Sequence, residues 1–97
     1  MEIVLKVKSE NYQKVREILL KDDIISRASI IFKDGNQFGF ENFYLIYISG
    51  TDEQIKKAID VTKDLAEKLE EEKEKDVIKK LKEESEKAIE GFGSILG

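Results

Sequence analysis

The stretch Tyr44-Leu45-Ile46-Tyr47-Ile48-Ser49-Gly50-Thr51-Asp52-Glu53-Gln54-Ile55 joins the strongest predicted strand to the clearest predicted helix start. Residues 43–49 carry apolar side chains on both faces, and such a strand usually lies in the middle of a sheet. Gly50 allows a sharp bend. Thr51 and Gln54 have the spacing of a capping box, in which each side chain bonds the other residue's backbone N–H. We therefore expect a central strand that leads directly into a helix.

Two more strands and a helix are predicted before this stretch. Residues 1–8 alternate between apolar and polar, with one break, which predicts a half-buried strand. Ser9 is typical of a helix N-cap, and the apolar spacing of residues 12–22 predicts about three helical turns. Residues 24–33 alternate again and predict a second strand. The loop 34–42 is too long for a tight hairpin, and loops of this kind often carry function.

The chain after residue 50 has the composition of helix. One apolar stripe runs from Ile55 to Leu69, and a second begins at Val77, rotated by roughly 130° around a straight helix. Residues 70–76, between the stripes, contain no apolar side chain, no glycine and no proline. The pattern fits either a helical hairpin or one long helix that contacts two different surfaces, and the helix is expected to end near Glu90.

The order of elements predicts an α+β fold. Strand–helix–strand–strand–helix followed by another helix is a truncated ferredoxin-like β-α-β-β-α arrangement with a three-stranded antiparallel sheet. Residues 1–97 are expected to form one domain, with 1–70 as the core and 71–97 as a C-terminal helical extension. Without a fourth strand the edge of the first strand is exposed, which predicts an isologous edge-to-edge dimer. Alternatively, the C-terminal helix shields that edge or the open sheet face.

The composition excludes several kinds of chemistry. The chain has no histidine and no cysteine, and 39% of its residues are charged. It therefore lacks the usual general base, thiolate metal ligands and disulfides, and no spacing predicts a nucleophile–base pair or a phosphate-binding loop. The acidic clusters 22–23 and 70–72 are interpreted as solvated charge, because neighbouring acids do not converge on a metal ion. We predict a non-enzymatic protein without cofactor or metal.

The abundance of lysine and glutamate resembles the surfaces of thermophile proteins. No segment approaches the roughly 20 apolar residues of a membrane span. The sequence therefore predicts a soluble, cytoplasmic protein that does not contact membrane.

Two regions are candidates for binding other proteins. Phe38 and Phe40 in the loop, together with Phe43 and Tyr47, are predicted to contact a protein partner, because aromatic side chains dominate interfaces. The alternative is that the two loop phenylalanines fold back on the core. The second apolar stripe predicts a homo-oligomer, a dimer or higher, through Ile78, Leu81, Phe92, Ile95 and Leu96.

An RNA-binding module is the alternative function. Basic and aromatic residues on an open sheet face are typical of ferredoxin-like modules that stack nucleotides. The bases expected there are Lys6, Lys8, Arg27 and Lys33. Phe38-Gly39-Phe40 followed by Phe43 resembles part of the RNA-recognition-motif signature, although Glu41 replaces an apolar residue. The net charge of −4 has the opposite sign from that of most nucleic-acid binders. A small-molecule sensor is a third hypothesis, disfavoured because no glycine-rich loop follows the first strand.

Several segments of residues 1–70 together resemble one known family. They are the short first strand ending at Ser9, the helix Tyr12–Leu20, Arg27-Ala28-Ser29-Ile30 at the start of the second strand, and Ile46–Ile59. This pattern resembles the small dimerising subunit of the KEOPS complex, which helps make threonylcarbamoyladenosine on tRNA. Asp60 replaces an asparagine common in that family, and residues 71–97 have no counterpart. The resemblance implies a non-catalytic homodimer that brings partner subunits together and contacts tRNA indirectly or weakly.

Overall fold

Four strands form one antiparallel sheet in the order β2-β3-β1-β4, and three helices pack on it. The computed structural model describes the backbone of residues 1–96 and the side chains of residues 1–84. The elements, in chain order, are β1 (Glu2–Lys8), α1 (Tyr12–Lys21), β2 (Ser29–Asp34), β3 (Phe43–Ser49), α2 (Asp52–Thr62), β4 (Ala66–Lys68) and α3 (Glu71–Leu96). The predicted α+β class is confirmed, whereas the predicted three-stranded sheet is wrong.

β3 is the central strand that the sequence predicts. It pairs with β1 along its whole length and with β2 over six residues. Leu45, Ile46 and Ile48 are fully buried. The predicted capping box is present: the Thr51 hydroxyl accepts a hydrogen bond from the Gln54 N–H at 3.2 Å, and the Gln54 side chain accepts one from the Thr51 N–H at 2.9 Å. This junction is correctly predicted because its signals are local.

The fourth strand is the main departure from prediction. α2 ends at Thr62, whose hydroxyl donates to the carbonyl of Ala58 at 2.6 Å, and the Leu65 N–H closes the turn on the Thr62 carbonyl at 2.9 Å. β4 then pairs with residues 5–7 of β1. Helix propensity differs by less than about 1 kcal/mol between most residues, so pairing with an open sheet edge outweighs it here. β4 consequently covers β1 at residues 5–7, so the free edge from which the edge-to-edge dimer was predicted is not present there. Self-association of the chain stays a prediction.

The Glu74 side chain completes the edge of β1 where β4 ends. The Val4 carbonyl accepts a hydrogen bond from the Leu69 N–H at 3.0 Å, and the Val4 N–H donates to Glu74 Oε2 at 3.1 Å. The Lys68 ammonium lies 3.1 Å from the same carboxylate, which is only 8% exposed. A side chain of α3 thus takes the place of a fourth-strand carbonyl beside the fully buried Val4.

Each face of the sheet has its own apolar core. α1 and α2 cover the first face, where the buried residues are Ile3, Leu5, Val7, Val15, Leu19, Ile25, Ile46, Ile48, Ile55 and Ala58. α3 covers the second, where the buried residues are Val4, Leu45, Leu69, Val77 and Leu81. The rotation between the two predicted stripes therefore corresponds to helices on opposite faces of one sheet. The turn and β4 between α2 and α3 carry the chain from one face to the other.

Three local predictions are corrected by the structure. Ser9 begins a 3₁₀ turn, Ser9–Asn11, and does not cap α1, whose N-cap Asn11 makes no side-chain capping bond. Residues 25–27 form another 3₁₀ turn, so β2 starts later than the alternation suggests and Ile25 is fully buried in the first core. α3 continues to Leu96 and does not end near Glu90.

Asp22 joins α1 to α2 and is more than a solvated charge. Its Oδ1 accepts hydrogen bonds from the backbone N–H groups of Ile24 and Ile25 at 2.8 and 2.9 Å, and its Oδ2 lies 2.9 Å from the Lys57 ammonium. The Ile25 N–H and then Lys57 hold the pKa of Asp22 below its usual range. The interpretation of residues 22–23 as solvated charge is therefore wrong for Asp22.

The lowered pKa of Asp22 predicts a loss of stability in acid. The folded protein binds this proton less readily than the unfolded chain does, so the contribution is complete above the usual aspartate pKa of about 4 and disappears as the pH falls through the lower folded pKa. We expect the stability difference between the wild type and Asp22→Asn to shrink below about pH 4. Urea unfolding from neutral pH downward measures this difference. A difference that stays constant into strong acid would contradict the prediction.

Candidate protein-binding surface

The loop between β2 and β3 has a defined conformation that hydrogen bonds within the loop stabilise. The Asp34 side chain accepts the Asn36 N–H at 2.9 Å and caps a 3₁₀ turn, Gly35–Phe38. The Phe40 N–H then closes the loop on the Gly35 carbonyl at 2.8 Å. Gly39 adopts the left-handed conformation with φ of 84°, which glycine tolerates without strain. These bonds position the two loop phenylalanines against α3.

The alternative that Phe38 and Phe40 fold back on the core is supported, and their contact with a protein partner stays a prediction. The two rings pack against the second core, and both side chains remain half-buried. Phe43, at the start of β3, is half-buried as well. The phenylalanines therefore anchor the loop and still present part of their rings at the surface.

Each of the three rings lies close to a lysine ammonium. Lys6 Nζ is 4.7 Å from the ring centroid of Phe43 and 5.9 Å from that of Phe40. The other two are Lys73 Nζ, 5.7 Å from Phe40, and Lys80 Nζ, 5.8 Å from Phe38. Cations within about 6 Å of an aromatic face are attracted to it by roughly 0.5–1 kcal/mol at exposed sites. We call these six residues, from β1, the loop, β3 and α3, the phenylalanine–lysine surface.

A groove of about 270 Å³ opens between the loop and α3 within this surface. Its walls are Phe38, Gly39, Phe40, Lys73, Asp76, Val77 and Lys80. The floor is aromatic and aliphatic, and the rim carries two lysines and one aspartate. A groove of this size accommodates one large apolar side chain, with charged groups placed to contact its neighbours.

The charge of this surface differs from that of the whole chain. Lys73 and Lys80 form no ion pair among residues 1–84, whose side chains the structure describes, whereas Lys6 lies 3.5 Å from the exposed Glu67. The protein has a net charge of −4. A positive rim on a negative protein favours acidic partners here and disfavours them elsewhere on the surface.

The other predicted contact residues lie apart from this surface or under α3. Tyr47 is half-buried in the second core, where burial, with a smaller contribution from the nearby Glu2 carboxylate, raises the pKa of its hydroxyl. Leu81 is buried and Ile78 half-buried in the same core. The remaining predicted oligomerisation residues, Phe92, Ile95 and Leu96, lie outside the described side chains.

The bases predicted to bind RNA do not line one open face. α3 lies over that side of the sheet, and Lys33 forms an ion pair with Glu84 at 3.1 Å. Arg27 lies in the turn before β2, and Lys8 is exposed at the end of β1. Lys8 and Lys6 do line a smaller groove with Phe43, which also contains two acidic residues.

Sequence reasoning did not identify Lys73 and Lys80 as part of a surface. They share one face of α3 with Val77, at the helical spacings i, i+4 and i+7, and that spacing was the available signal.

A second, larger groove of about 710 Å³ lies between α3 and the start of β1, but its rim mixes both charges.

Neither a membrane-spanning helix nor a metal site is found in the described part of the chain. No helix there is long and apolar enough to cross a membrane. Within the same residues, no group of three or more acidic side chains is placed to hold a metal ion.

No protein-family model, no curated protein and no solved structure matches the chain.

Proposed function

We propose that this protein is a non-enzymatic interaction subunit that binds an acidic segment of a partner protein at the phenylalanine–lysine surface. The observation that carries the proposal is the placement of three lysine ammonium groups over three phenylalanine rings beside an apolar groove. No side chain within the groove performs covalent chemistry in this proposal. The surface recognises its partner through shape and charge.

Recognition has an apolar and an electrostatic part. One large apolar side chain of the partner enters the groove between Phe38 and Phe40, and flanking carboxylates bind Lys73 and Lys80. Aromatic anchors in well-packed pockets supply most of the affinity at interfaces, while charges at the rim chiefly set association rate and partner choice. Asp76, at the same rim, repels a run of consecutive acids and thereby favours segments in which acidic and apolar residues alternate.

The proposed fold type within the α+β class is ferredoxin-like. The antiparallel strand order β2-β3-β1-β4 and the helices that follow β1 and β3 support this assignment. The fourth strand, reduced to three residues, takes the position next to β1 that this arrangement requires. Kinship with the small subunit of the KEOPS complex remains a prediction, as does self-association of the chain.

Selection of peptides from a phage-displayed random library tests the proposed function. We expect the full-length protein to enrich peptides that combine several acidic residues with one large apolar residue. A synthetic copy of a selected peptide should bind Lys73→Glu/Lys80→Glu at least about tenfold more weakly than it binds the wild type, because two attractions become repulsions. Fluorescence anisotropy measures both affinities.

The matched control is Lys14→Glu/Lys21→Glu on α1, which changes the net charge equally at two exposed positions away from the groove. Its affinity for the peptide should stay within about twofold of the wild type. Equal loss in both variants, or enrichment of peptides without acidic residues, would overturn the proposal.

Single-stranded RNA is the competing ligand. An oligouridine titration at low and high salt separates the two functions, because RNA binding weakens steeply as salt is added. Salt-sensitive RNA binding that Lys6→Glu/Lys8→Glu abolishes, together with no peptide enrichment, would replace the proposed function with RNA binding through the groove at Lys6, Lys8 and Phe43.

A further inference from the structure

The outer edge of β2 is the longer of the two sheet edges that no other strand covers in the part of the chain that the structure describes, because β4 at the other end has only three residues. β2 stands at the end of the strand order and pairs with β3 alone. Alternate residues of an edge strand direct their backbone N–H and C=O groups away from the sheet, where they can pair with another strand. At the other end of the sheet the short β4 covers β1 at residues 5–7, and the Glu74 carboxylate accepts the neighbouring Val4 N–H. Six residues of β2 are therefore open to pairing at one edge, whereas the other edge offers only the three residues of β4.

β2 lacks most of the devices that protect edge strands. It contains neither proline nor glycine, and its register with β3 continues from Ser29 to Asp34 without a bulge. Ile31, in the middle of the strand, is 40% exposed. Its one lysine, Lys33, forms an ion pair with Glu84 of the same chain. Continuous edges with exposed apolar residues are sites at which strands add to sheets.

The residues along β2 match a second copy of the same strand in one antiparallel register. When Ile31 lies opposite Ile31 of the second copy, Ile30 lies opposite Phe32, so apolar residues meet on both faces. Asp34 then lies opposite Ala28 and Lys33 opposite Ser29, so no two like charges lie directly opposite each other in the pair.

The two neighbouring symmetric registers are poorer. A shift in one direction places Ile30 opposite Asp34, and a shift in the other places Arg27 opposite Lys33. An apolar residue opposite an acid loses cross-strand stabilisation, and like charges directly opposite are unfavourable. The pattern of β2 thus selects one register and one orientation.

We infer that the chain forms an isologous homodimer in which two β2 strands pair antiparallel, with Ile31 on the two-fold axis and Ile30 of each copy opposite Phe32 of the other. Two four-stranded sheets then form one continuous sheet of eight strands. This dimer is a specific form of the self-association that the sequence predicts. It does not involve the phenylalanine–lysine surface, so either can fail alone.

Light scattering on a sizing column tests the dimer. We expect the wild type to elute as a dimer that dissociates on dilution, and Ile31→Lys to raise the dimer dissociation constant at least about tenfold, because two lysines then meet on the axis. The control is Leu20→Lys on α1, where the original side chain is 43% exposed, close to the value for Ile31. It should not change the dissociation constant. Circular dichroism verifies that both variants fold.

Engineered cysteines test the register, because the natural chain has none. Ile31→Cys should form an intermolecular disulfide rapidly under mild oxidation. Ser29→Cys alone should not, because its symmetric mate lies about four residues, or 13 Å, away along the strand. A mixture of Ser29→Cys and Lys33→Cys chains should crosslink to each other.

Two results would overturn the inference. One is a monomer at high concentration. The other is a dimer that persists in Ile31→Lys and does not crosslink through Ile31→Cys, because such a dimer uses another surface. Neither result affects peptide binding at the groove, which the selection experiment measures separately.

Discussion

Replacement of Glu74 by leucine is expected to lower the free energy of unfolding by about 2–3 kcal/mol. The Glu74 carboxylate accepts a hydrogen bond from the backbone N–H of Val4. Because Val4 is fully buried, water does not replace this acceptor when it is removed. Leucine has a similar volume but leaves this N–H without a partner in an apolar environment. A buried donor without a partner costs its full desolvation free energy, and this cost outweighs the stabilisation from the apolar area that leucine adds.

Glu74→Gln separates the backbone bond from the ion pair. The glutamine side-chain oxygen can still accept the Val4 N–H, whereas the charge that faces Lys68 is lost. Because the Lys68 side chain is 43% exposed, this pair is screened by water and we expect the loss to stay below about 1 kcal/mol. Urea unfolding compares the two variants with the wild type. Equal losses for leucine and glutamine would show that the bond to Val4 does not stabilise the sheet edge.

Gly35→Ala is the second substitution with a large expected effect, about 2–3 kcal/mol of stability. A Cβ atom at residue 35 would lie 2.6 Å from the carbonyl oxygen of Phe40 and closer still to that of Phe43. Both obstacles are backbone atoms, so the loop itself must move. Since the loop positions Phe38 and Phe40, the substitution should also weaken binding of a selected peptide.

Gly39→Ala is the matched control in the same loop. A Cβ atom there meets nothing within 4 Å, so its effect comes only from the left-handed backbone at φ of 84°. We expect about 1 kcal/mol, with the groove intact. Thermal unfolding followed by circular dichroism gives the order of the two effects. A smaller loss of stability for Gly35→Ala than for Gly39→Ala would contradict the prediction, because it would show that the loop backbone around Gly35 moves at little energetic cost.

The sequence predicts elements correctly where the determining contacts are local. The central strand, the capping box and the division of its side chains between two faces follow from neighbours a few residues apart. The two apolar stripes of the second half are also predicted, and their rotation reflects the two faces of the sheet, except that Leu69, assigned to the first stripe, packs in the second core. The loop phenylalanines were identified as candidates because aromatic side chains dominate protein interfaces.

The missed features depend on contacts between distant parts of the chain. Glu74 and Val4 are 70 residues apart, and nothing near Glu74 distinguishes it from the exposed glutamates beside it. Lys73 and Lys80 acquire significance only because the loop brings its phenylalanines to that face of α3. β4 consists of residues that individually favour helix, so its strand conformation is set by the partner strand.

The short fourth strand has a consequence for how the chain folds. Between Thr51 and Glu90 the sequence contains neither glycine nor proline, so the nascent segment can extend as one helix through the residues that become β4. We expect the break to form when β1 offers its edge, because β1 and β4 are far apart in sequence and contacts of high sequence separation form late and slowly. Until that step, α3 cannot reach the second face of the sheet, and the side chains of Val4 and Leu45 stay exposed to water. The last event in folding is therefore expected to be the conversion of a helical segment into a turn and three residues of strand.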